Sequence, residues 1–391
     1  MNTPRVFDSL SLSGAAGTLW LFGAGASKCE PYSVPTQYGL LKHFAAMGPF
    51  GRKYGHRQAF VALQSRVQRL VERVVPGREW TSWENCLEEI FSFYELLADD
   101  TANCTPAENA AARKALDDLT RALWAATTVG GANTALKFKP FPESRRRTPA
   151  PYAELLERLL RGGETRGGAH AFAASQHRLV TMNYDISLDR CLLHLNAQGV
   201  FLDYGVPVTG LGSATPPNGA ADDATFLLLR LHGSLNWLRC PATTCRTLHH
   251  SGEYHADDDN APCEACGAGP LRPALVYPSY TRRYDDPVIG AIWARTRAEL
   301  LAADRWIFIG YSLPAADVHL RAVLRSCIEQ RRAAGRPTEV LLVGRGPLDL
   351  SQKDLELSKA VNEYSALFAD RLAVWNATED GFGDFVGRLC P

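Results

Sequence analysis

The sequence predicts an α/β protein built on a doubly wound parallel sheet, and three features predict it. Short runs of consecutive apolar residues alternate with longer segments whose apolar residues recur at helical spacing, the pattern of buried strands joined by helices. Four of these runs stop abruptly at polar or glycine-bearing turns, at residues 23–27, 181–185, 232–236 and 310–314. Ligands of such sheets bind beyond the carboxyl ends of the strands, so the four turns are expected to meet along one edge. A chain of 391 residues, 46% hydrophobic, is also long enough for one large domain with insertions or for two domains.

The first strand is Leu19 to Phe22, four large apolar residues running into Gly23-Ala24-Gly25-Ala26-Ser27. Gly23 and Gly25 allow a tight turn whose N–H groups can face an anion, with phosphate as the natural guest. The spacing lacks the third glycine of the usual dinucleotide fingerprint, so an ordinary strand-to-helix turn is the competing reading. From about 40 to 127 no strand candidate occurs. Residues 57–75, 82–98 and 107–127 carry helical periodicity and form a helical insertion. Within it, Trp83 to Ile90 pairs acids along a face read as solvated. Residues 128–151, with Arg145-Arg146-Arg147, read as a loop that is either solvated or a lid able to meet phosphates.

A helix over 152–161, a turn from Gly162 to Gly168 and a helix around Ala169 to Gln176 precede the strand Arg178 to Thr181. That strand ends in Met182-Asn183-Tyr184-Asp185, and a helix follows to Leu195. Asn183 and Asp185 thereby place an amide and a carboxylate at the ligand edge, unless Asp185 merely caps the next helix and Asn183 makes a local turn. After a Gly/Pro/Asp-rich loop at 206–223, Thr225 to Leu231 is a strand ending in His232-Gly233. An imidazole there has an unperturbed pKa near 6.5, suited to general-base work on a hydroxyl, although a lone strand-end histidine is also an ordinary packing residue. Leu271 to Val276 reads as a strand, 287–303 as a helix and Trp306 to Ile309 as a strand. Gly310 to Pro314 is a turn and 317–330 a helix. Val340 to Val343, Leu372 to Trp375 and a helix near 382–389 complete the chain.

Cys240-x4-Cys245 and Cys263-x2-Cys266 lie in a segment rich in Gly, Pro, Asp and Asn, which cannot build a core of its own. Four thiolates holding Zn2+ tetrahedrally would fold it, and four protein ligands leave no open position, so the metal is structural. His249, His250 and His255 lie between the pairs as alternative ligands. The other cysteines, at 29, 86, 104, 191, 327 and 390, are read as reduced. Forty-two basic residues balance 42 acidic ones, so charge gives no case for broad nucleic-acid or membrane binding. Without an apolar leader or a long apolar run, the chain is expected to be soluble and cytoplasmic.

The order of these pieces resembles the sirtuin superfamily: a Gly-Ala-Gly-x-Ser loop, a Thr-x-Asn-x-Asp turn, a His-Gly, a four-cysteine module, Leu271-Arg272-Pro273 and a late Gly-x-Ser-Leu. The resemblance implies a single Rossmann-like NAD-binding domain over 1–391, with the helical insertion at 40–127 and a zinc module at 238–270. It implies that Gly23, Ala24, Gly25, Ser27, Gly310 and Ser312 lie near phosphates and ribose, and Gly344-Arg345 near adenine. It further implies Asp185 on the nicotinamide amide, Asn183 on a ribose hydroxyl or the attacking water, and His232 as general base. The chain departs from the deacylase pattern at Ser33 to Tyr38 and at 276–280, where a Phe-Gly-Glu-type segment is missing. The Gly310 to Asp317 form and the helical insertion look more like bacterial sirtuin-like proteins of antiphage defence, and that branch implies NAD hydrolysis to nicotinamide and ADP-ribose. The alternatives are a protein deacylase or ADP-ribosyltransferase, and a non-catalytic NAD or ADP-ribose sensor. A hydrolase of this kind calls for control by homo-oligomerisation or by a separate sensor or activator protein.

Overall fold

The structure, a computed structural model, describes the chain apart from residues 1–4, 8, 13–16, 29–33, 49–56, 80–81, 85, 129–149, 162–175, 196–199, 212–223, 252–260, 347–355, 376–380 and 391. Its strands are β1 (Arg5–Phe7), β2 (Leu10–Ser11), β3 (Thr18–Phe22), β4 (His177–Thr181), β5 (Val200–Asp203), β6 (Thr209–Gly210) and β7 (Ala224–Arg230). They continue with β8 (Gly233–Arg239), β9 (Leu248–His250), β10 (Arg272–Leu275), β11 (Arg305–Ile309), β12 (Glu339–Val343), β13 (Leu372–Trp375) and β14 (Leu389–Cys390). The chain divides into two compact units: residues 1–30, 139–232 and 285–391, and residues 31–138 and 233–284.

The first unit is built on a parallel sheet ordered β1-β13-β12-β11-β3-β4-β7-β5. Its central strands are continuous apolar runs because helices cover both faces. Phe22 and Phe308 show this directly. In the β3–β11 register Phe22 faces Ile309 and Leu21 faces Phe308, so the two rings lie on opposite sides of the sheet. Phe22 meets Tyr152 and Phe382, from helices Pro151–Arg161 and Gly381–Gly387. Phe308 meets Tyr364 and Phe368, from helix Glu356–Phe368. The chain leaves β3 toward β4 and leaves β11 toward β12 in the opposite direction. The junction of β3 and β11 is therefore the topological switch point, where doubly wound sheets open a crevice.

The second unit carries helices Leu40–Ala46, Arg57–Val74, Leu87–Asp99 and Pro106–Thr128, with Val67, Val71, Ile90, Phe91 and Leu119 in its core. The last helix starts at a capping box: the Glu108 carboxylate accepts from the Thr105 amide at 2.7 Å, the Thr105 hydroxyl accepts from the Glu108 amide at 3.3 Å, and Pro106 fills the first position. Arg66 binds Asp118 through two bonds of 2.9 Å. The acids read as a solvated face divide: Glu84 and Glu89 are exposed, whereas the half-buried Glu88 accepts from Gln37. In the same unit β8 pairs antiparallel with both β10 and β9.

Among the described residues the structure holds seven strands that the sequence reading did not anticipate, β1, β2, β5, β6, β8, β9 and β14, and one unanticipated helix of more than a single turn. β1 is an exposed edge strand and β5 an edge strand of alternating burial, both too short to announce themselves. Residues 233–236, read as part of a turn, begin β8. Its Ser234 and Asn236 are buried because the Ser234 hydroxyl donates to Asn236 Oδ1 at 2.5 Å and Asn236 Nδ2 lies 3.0 Å from His250 Nε2 on β9. Internal satisfaction of polar groups thus overrode hydropathy. Helix Glu356–Phe368 was not anticipated. The strand expected at 271–276 is present as β10, antiparallel and outside the parallel sheet. The loop at 129–149 with its three arginines, the turn at 162–168, nearly all of the helix expected at 169–176, residues 212–223, Cys29 and His255 lie outside the described residues.

Candidate functional site

At the switch point two turns cross in contact. The Gly23 amide donates to the Ile309 carbonyl at 2.9 Å and the Gly25 amide to the Gly310 carbonyl at 2.8 Å. A Cβ on Gly310, whose φ is +61°, would lie 2.2 Å from the Ala26 nitrogen, and one on Gly23 would lie 2.6 Å from the Tyr311 Cα. Only glycine permits that approach. The Ala26 amide returns to the Gly23 carbonyl at 3.0 Å, closing the single helical turn Ala24–Ser27. The expectation that this loop turns its N–H groups toward an anion is therefore corrected for Gly23, Gly25 and Ala26, whose amides are used inside the chain. The glycines serve the close packing of two strand-end turns. Ser27 is buried, while Ala24, Gly25 and Gly310 are partly accessible.

Beyond β4 the turn 182–185 brings Asn183 against that crossing. Asn183 Nδ2 donates to the Gly23 carbonyl at 3.0 Å and to Ser27 Oγ at 3.1 Å, and Ser27 Oγ lies 3.0 Å from the Tyr152 hydroxyl. A carbonyl oxygen only accepts, so the amide nitrogen must be the atom facing Gly23, and both of its protons are committed. Oδ1, an acceptor, is the atom left to receive a proton from a hydroxyl or water. Asp185 is buried, and its Oδ1 accepts at 2.9 Å from the amide of Ser187, the first residue of helix Ser187–Leu195. The capping role considered for Asp185 is thus realised by one of its two oxygens.

His232 lies just past β7, buried, with its ring stacked on Tyr184 at 5.7 Å between centroids. The chain leaves it through Gly233, whose φ is +74° and where a Cβ would stand 2.1 Å from the Ala274 carbonyl oxygen. Asn183, Asp185 and His232 therefore occupy neighbouring strand ends, joined by the Leu231 amide donating to the Thr181 carbonyl at 3.0 Å. The sequence reading missed what sits beneath them. Arg230, the last residue of β7, is fully buried; it pairs with Asp189 and donates to the carbonyls of Asn183, Tyr184 and Asp185. The signal was present: an arginine closing the run Phe226-Leu227-Leu228-Leu229 has nowhere to go but into the interior.

The late turn is braced from two sides. The Tyr311 hydroxyl bonds Asp317, and Arg321 donates to the carbonyls of Leu313 and Pro314 at 2.7 and 3.2 Å. Ser312 is exposed on this turn, two residues after Gly310. Gly344 and Arg345 follow β12 at the same end of the sheet, Gly344 partly accessible and Arg345 exposed.

In the second unit the ligand atoms of Cys240, Cys245, Cys263 and Cys266 all lie within 4.8 Å of one another. The Cys240–Cys266 and Cys245–Cys263 sulfur separations are 3.5 and 3.8 Å. Zinc–sulfur bonds of about 2.3 Å at tetrahedral angles require sulfur edges of about 3.8 Å, so this donor set fits the ion. The Thr247 hydroxyl beside Cys245 pulls its thiol down, whereas burial pushes the Cys240 thiol up. His249 stands behind the set, its Nε2 3.2 Å from Cys263 Sγ, and His250 is engaged by Asn236. Among the described residues, Cys86, Cys104, Cys191 and Cys327 are in no disulfide. No helix among the described residues is long and apolar enough to cross a membrane.

No protein-family model matches the chain, and no curated protein matches it. Among solved structures it is similar to Sir2Tm bound to a propionylated peptide, at 14% identity over 96% of this chain and 93% of that one, with a TM-score of 0.40. It is similar to a structure from work on sirtuin substrate affinity, at 13% identity over 96% and 94%, with a TM-score of 0.41. A Sir2–p53 peptide–NAD+ structure is similar at 15% identity over 96% and 93%, with a TM-score of 0.37.

Proposed function

We propose that the protein is an NAD glycohydrolase that releases nicotinamide and ADP-ribose and acts as an antiphage defence effector. The observation that carries this reading is Asn183, whose amide protons are both spent on Gly23 and Ser27. Its remaining atom is an acceptor at the switch-point edge, on the strand end beside that of His232. Breaking the nicotinamide–ribose bond sends the bonding pair to the pyridine nitrogen and leaves positive charge on the sugar. A water held by Asn183 Oδ1 then attacks the anomeric carbon, and its proton passes to His232. The second carboxylate oxygen of Asp185 accepts from the nicotinamide amide. Gly310, Ser312, Gly344 and Arg345 line the path of the rest of the dinucleotide. The defence role rests on the sequence resemblance, as does control of the activity by self-assembly or by a separate sensor protein.

The four cysteines would hold a structural zinc that folds their loop, with no step of the reaction assigned to it. The test is incubation of the purified protein with NAD, alone and with an acetylated peptide, under conditions that permit assembly, followed by product separation. ADP-ribose and nicotinamide formed without peptide support the reading. Consumption of peptide in step with NAD, with no peptide-independent ADP-ribose, would replace it with a deacylase.

A further inference from the structure

Arg230 lies at 0% exposure, as do its partner Asp189 and the Tyr204 that bonds Asp189. One guanidinium nitrogen, Nη1, pairs with Asp189 Oδ2, and the other carboxylate oxygen accepts from the Tyr204 hydroxyl at 2.7 Å. The second nitrogen, Nη2, faces three successive carbonyls, those of Asn183 at 3.0 Å, Tyr184 at 3.3 Å and Asp185 at 2.7 Å. A buried ion pair is a poor way to gain stability, because desolvation offsets much of the attraction and apolar side chains of similar size commonly do as well. What apolar residues cannot do is gather three consecutive carbonyls around one planar donor group.

We infer that Arg230 is the positioning residue of this site. Held by Asp189, which the Tyr204 hydroxyl holds in turn, its guanidinium fixes the backbone from which Asn183 reaches toward Gly23, from which Asp185 projects, and from which Tyr184 stacks on His232. Arg230 also stands two residues before His232, so one strand end sets the place of both the imidazole and the amide. Where the inference speaks of turnover it rests on the NAD-hydrolase reading; where it speaks of the turn it does not.

A second buried guanidinium in the same unit supplies the control. Arg331, 1% exposed, donates to the carbonyls of Leu301 and Pro337, to Thr338 and to Asp304, beside the starts of β11 and β12 and away from the strand ends that carry His232. Arg230→Lys, Arg230→Met and Arg331→Met are compared for melting temperature, for kcat and KM with NAD, and for hydrogen exchange over residues 182–187. Both Arg230 variants are expected to lose about 100-fold in kcat with KM changed less than about threefold, since a displacement of about 1 Å costs that much. Arg331→Met is expected to lower the melting temperature and leave kcat per folded molecule unchanged. A folded Arg230 variant with kcat within threefold of the parent overturns the inference. If neither Arg230 variant folds, Tyr204→Phe decides: a kcat loss of about fivefold supports the clamp and an unchanged kcat overturns it. If the parent protein cleaves no NAD, the hydrolase reading fails and exchange alone decides. Exchange over 182–187 that is at least tenfold faster in Arg230→Lys, or in Tyr204→Phe, keeps the clamp, and unchanged exchange removes it.

Discussion

Two regions gather chemically capable side chains, the carboxyl edge of the parallel sheet and the four-cysteine loop, and they satisfy their donors in opposite ways. In the loop every sulfur is turned toward the other three, within 4.8 Å, so a single ion consumes the whole set. At the strand ends the bonding is lopsided: Asn183 spends both protons inward and keeps an acceptor, and Asp185 spends one oxygen on Ser187. A saturated cluster holds structure, and an edge with capacity left over can act on a ligand. β4 repeats the contrast along its own length. Beyond its carboxyl end stands Asn183; at its amino end the buried His177 Nδ1 accepts from the Trp20 indole at 3.3 Å.

The largest effect should come from breaking the saturated cluster. One zinc per chain is expected, and removing a ligand by Cys263→Ser forfeits folding free energy of a structural site, on the order of 10 kcal/mol in small zinc peptides. Loss of metal together with loss of soluble protein or a large fall in melting temperature is the expected outcome. Well-folded protein without zinc by elemental analysis would erase the contrast from the loop's side.

At the strand ends the same kind of truncation should spare the fold and remove the chemistry. His232→Ala and Asn183→Ala are each expected to reduce NAD turnover by about 10²–10⁴-fold while the circular dichroism and melting curve stay near those of the parent. Full turnover in His232→Ala would remove the imidazole from the reaction.

How much of this was legible beforehand follows from the same contrast. The central strands and the quartet were readable because continuous apolar runs and cysteine spacing need no partner to be recognised. Asn183, Asp185 and His232 were readable as strand-end residues. Which atoms of Asn183 and Asp185 are already spent was not, because those bonds reach to Gly23 and Ser27 far along the chain and to Ser187 through the turn's own geometry. The glycine loop was read for its spacing, yet its amides close on Ile309 and Gly310. Arg230 was carried inside the expected strand Thr225 to Leu231, but its role went unread because the apolar pattern does not show the three carbonyls and Asp189 that make it an interior residue.

The amino end of β4 gives a pH test of a sealed group. Burial, reinforced by Arg178 and Arg305, lowers the His177 pKa from 6.5 to about 4. Between those values the unfolded chain binds a proton that the folded chain refuses, so stability falls as the pH is lowered through this window and is fully present above 6.5. At 1.36 kcal/mol for each pKa unit the loss amounts to about 3 kcal/mol. His177→Gln keeps an acceptor for Trp20 without titrating. Denaturation curves at pH 7 and pH 4 should therefore show a smaller loss for the variant, and equal losses would mean that His177 is not sealed.

The smallest effect concerns the link between Asn183 and the crossing turns. Ser27 Oγ accepts from Asn183 Nδ2 at 3.1 Å and stands 3.0 Å from the Tyr152 hydroxyl, so it relays the position of helix Pro151–Arg161 to the amide. Ser27→Ala leaves the amide held by Gly23 alone and strands one buried proton, which costs about 1 kcal/mol and corresponds to about a fivefold fall in kcat. Tyr152→Phe removes the far end of the relay and leaves the Asn183–Ser27 bond in place, so it should cost less than Ser27→Ala. The order of the two losses is the informative quantity. If Tyr152→Phe costs as much as Ser27→Ala, the serine acts as a link in a rigid chain and the amide's orientation is set from the helix. If Ser27→Ala costs nothing, the Gly23 carbonyl alone orients Asn183, and the acceptor left at the strand ends owes its direction to the glycine crossing.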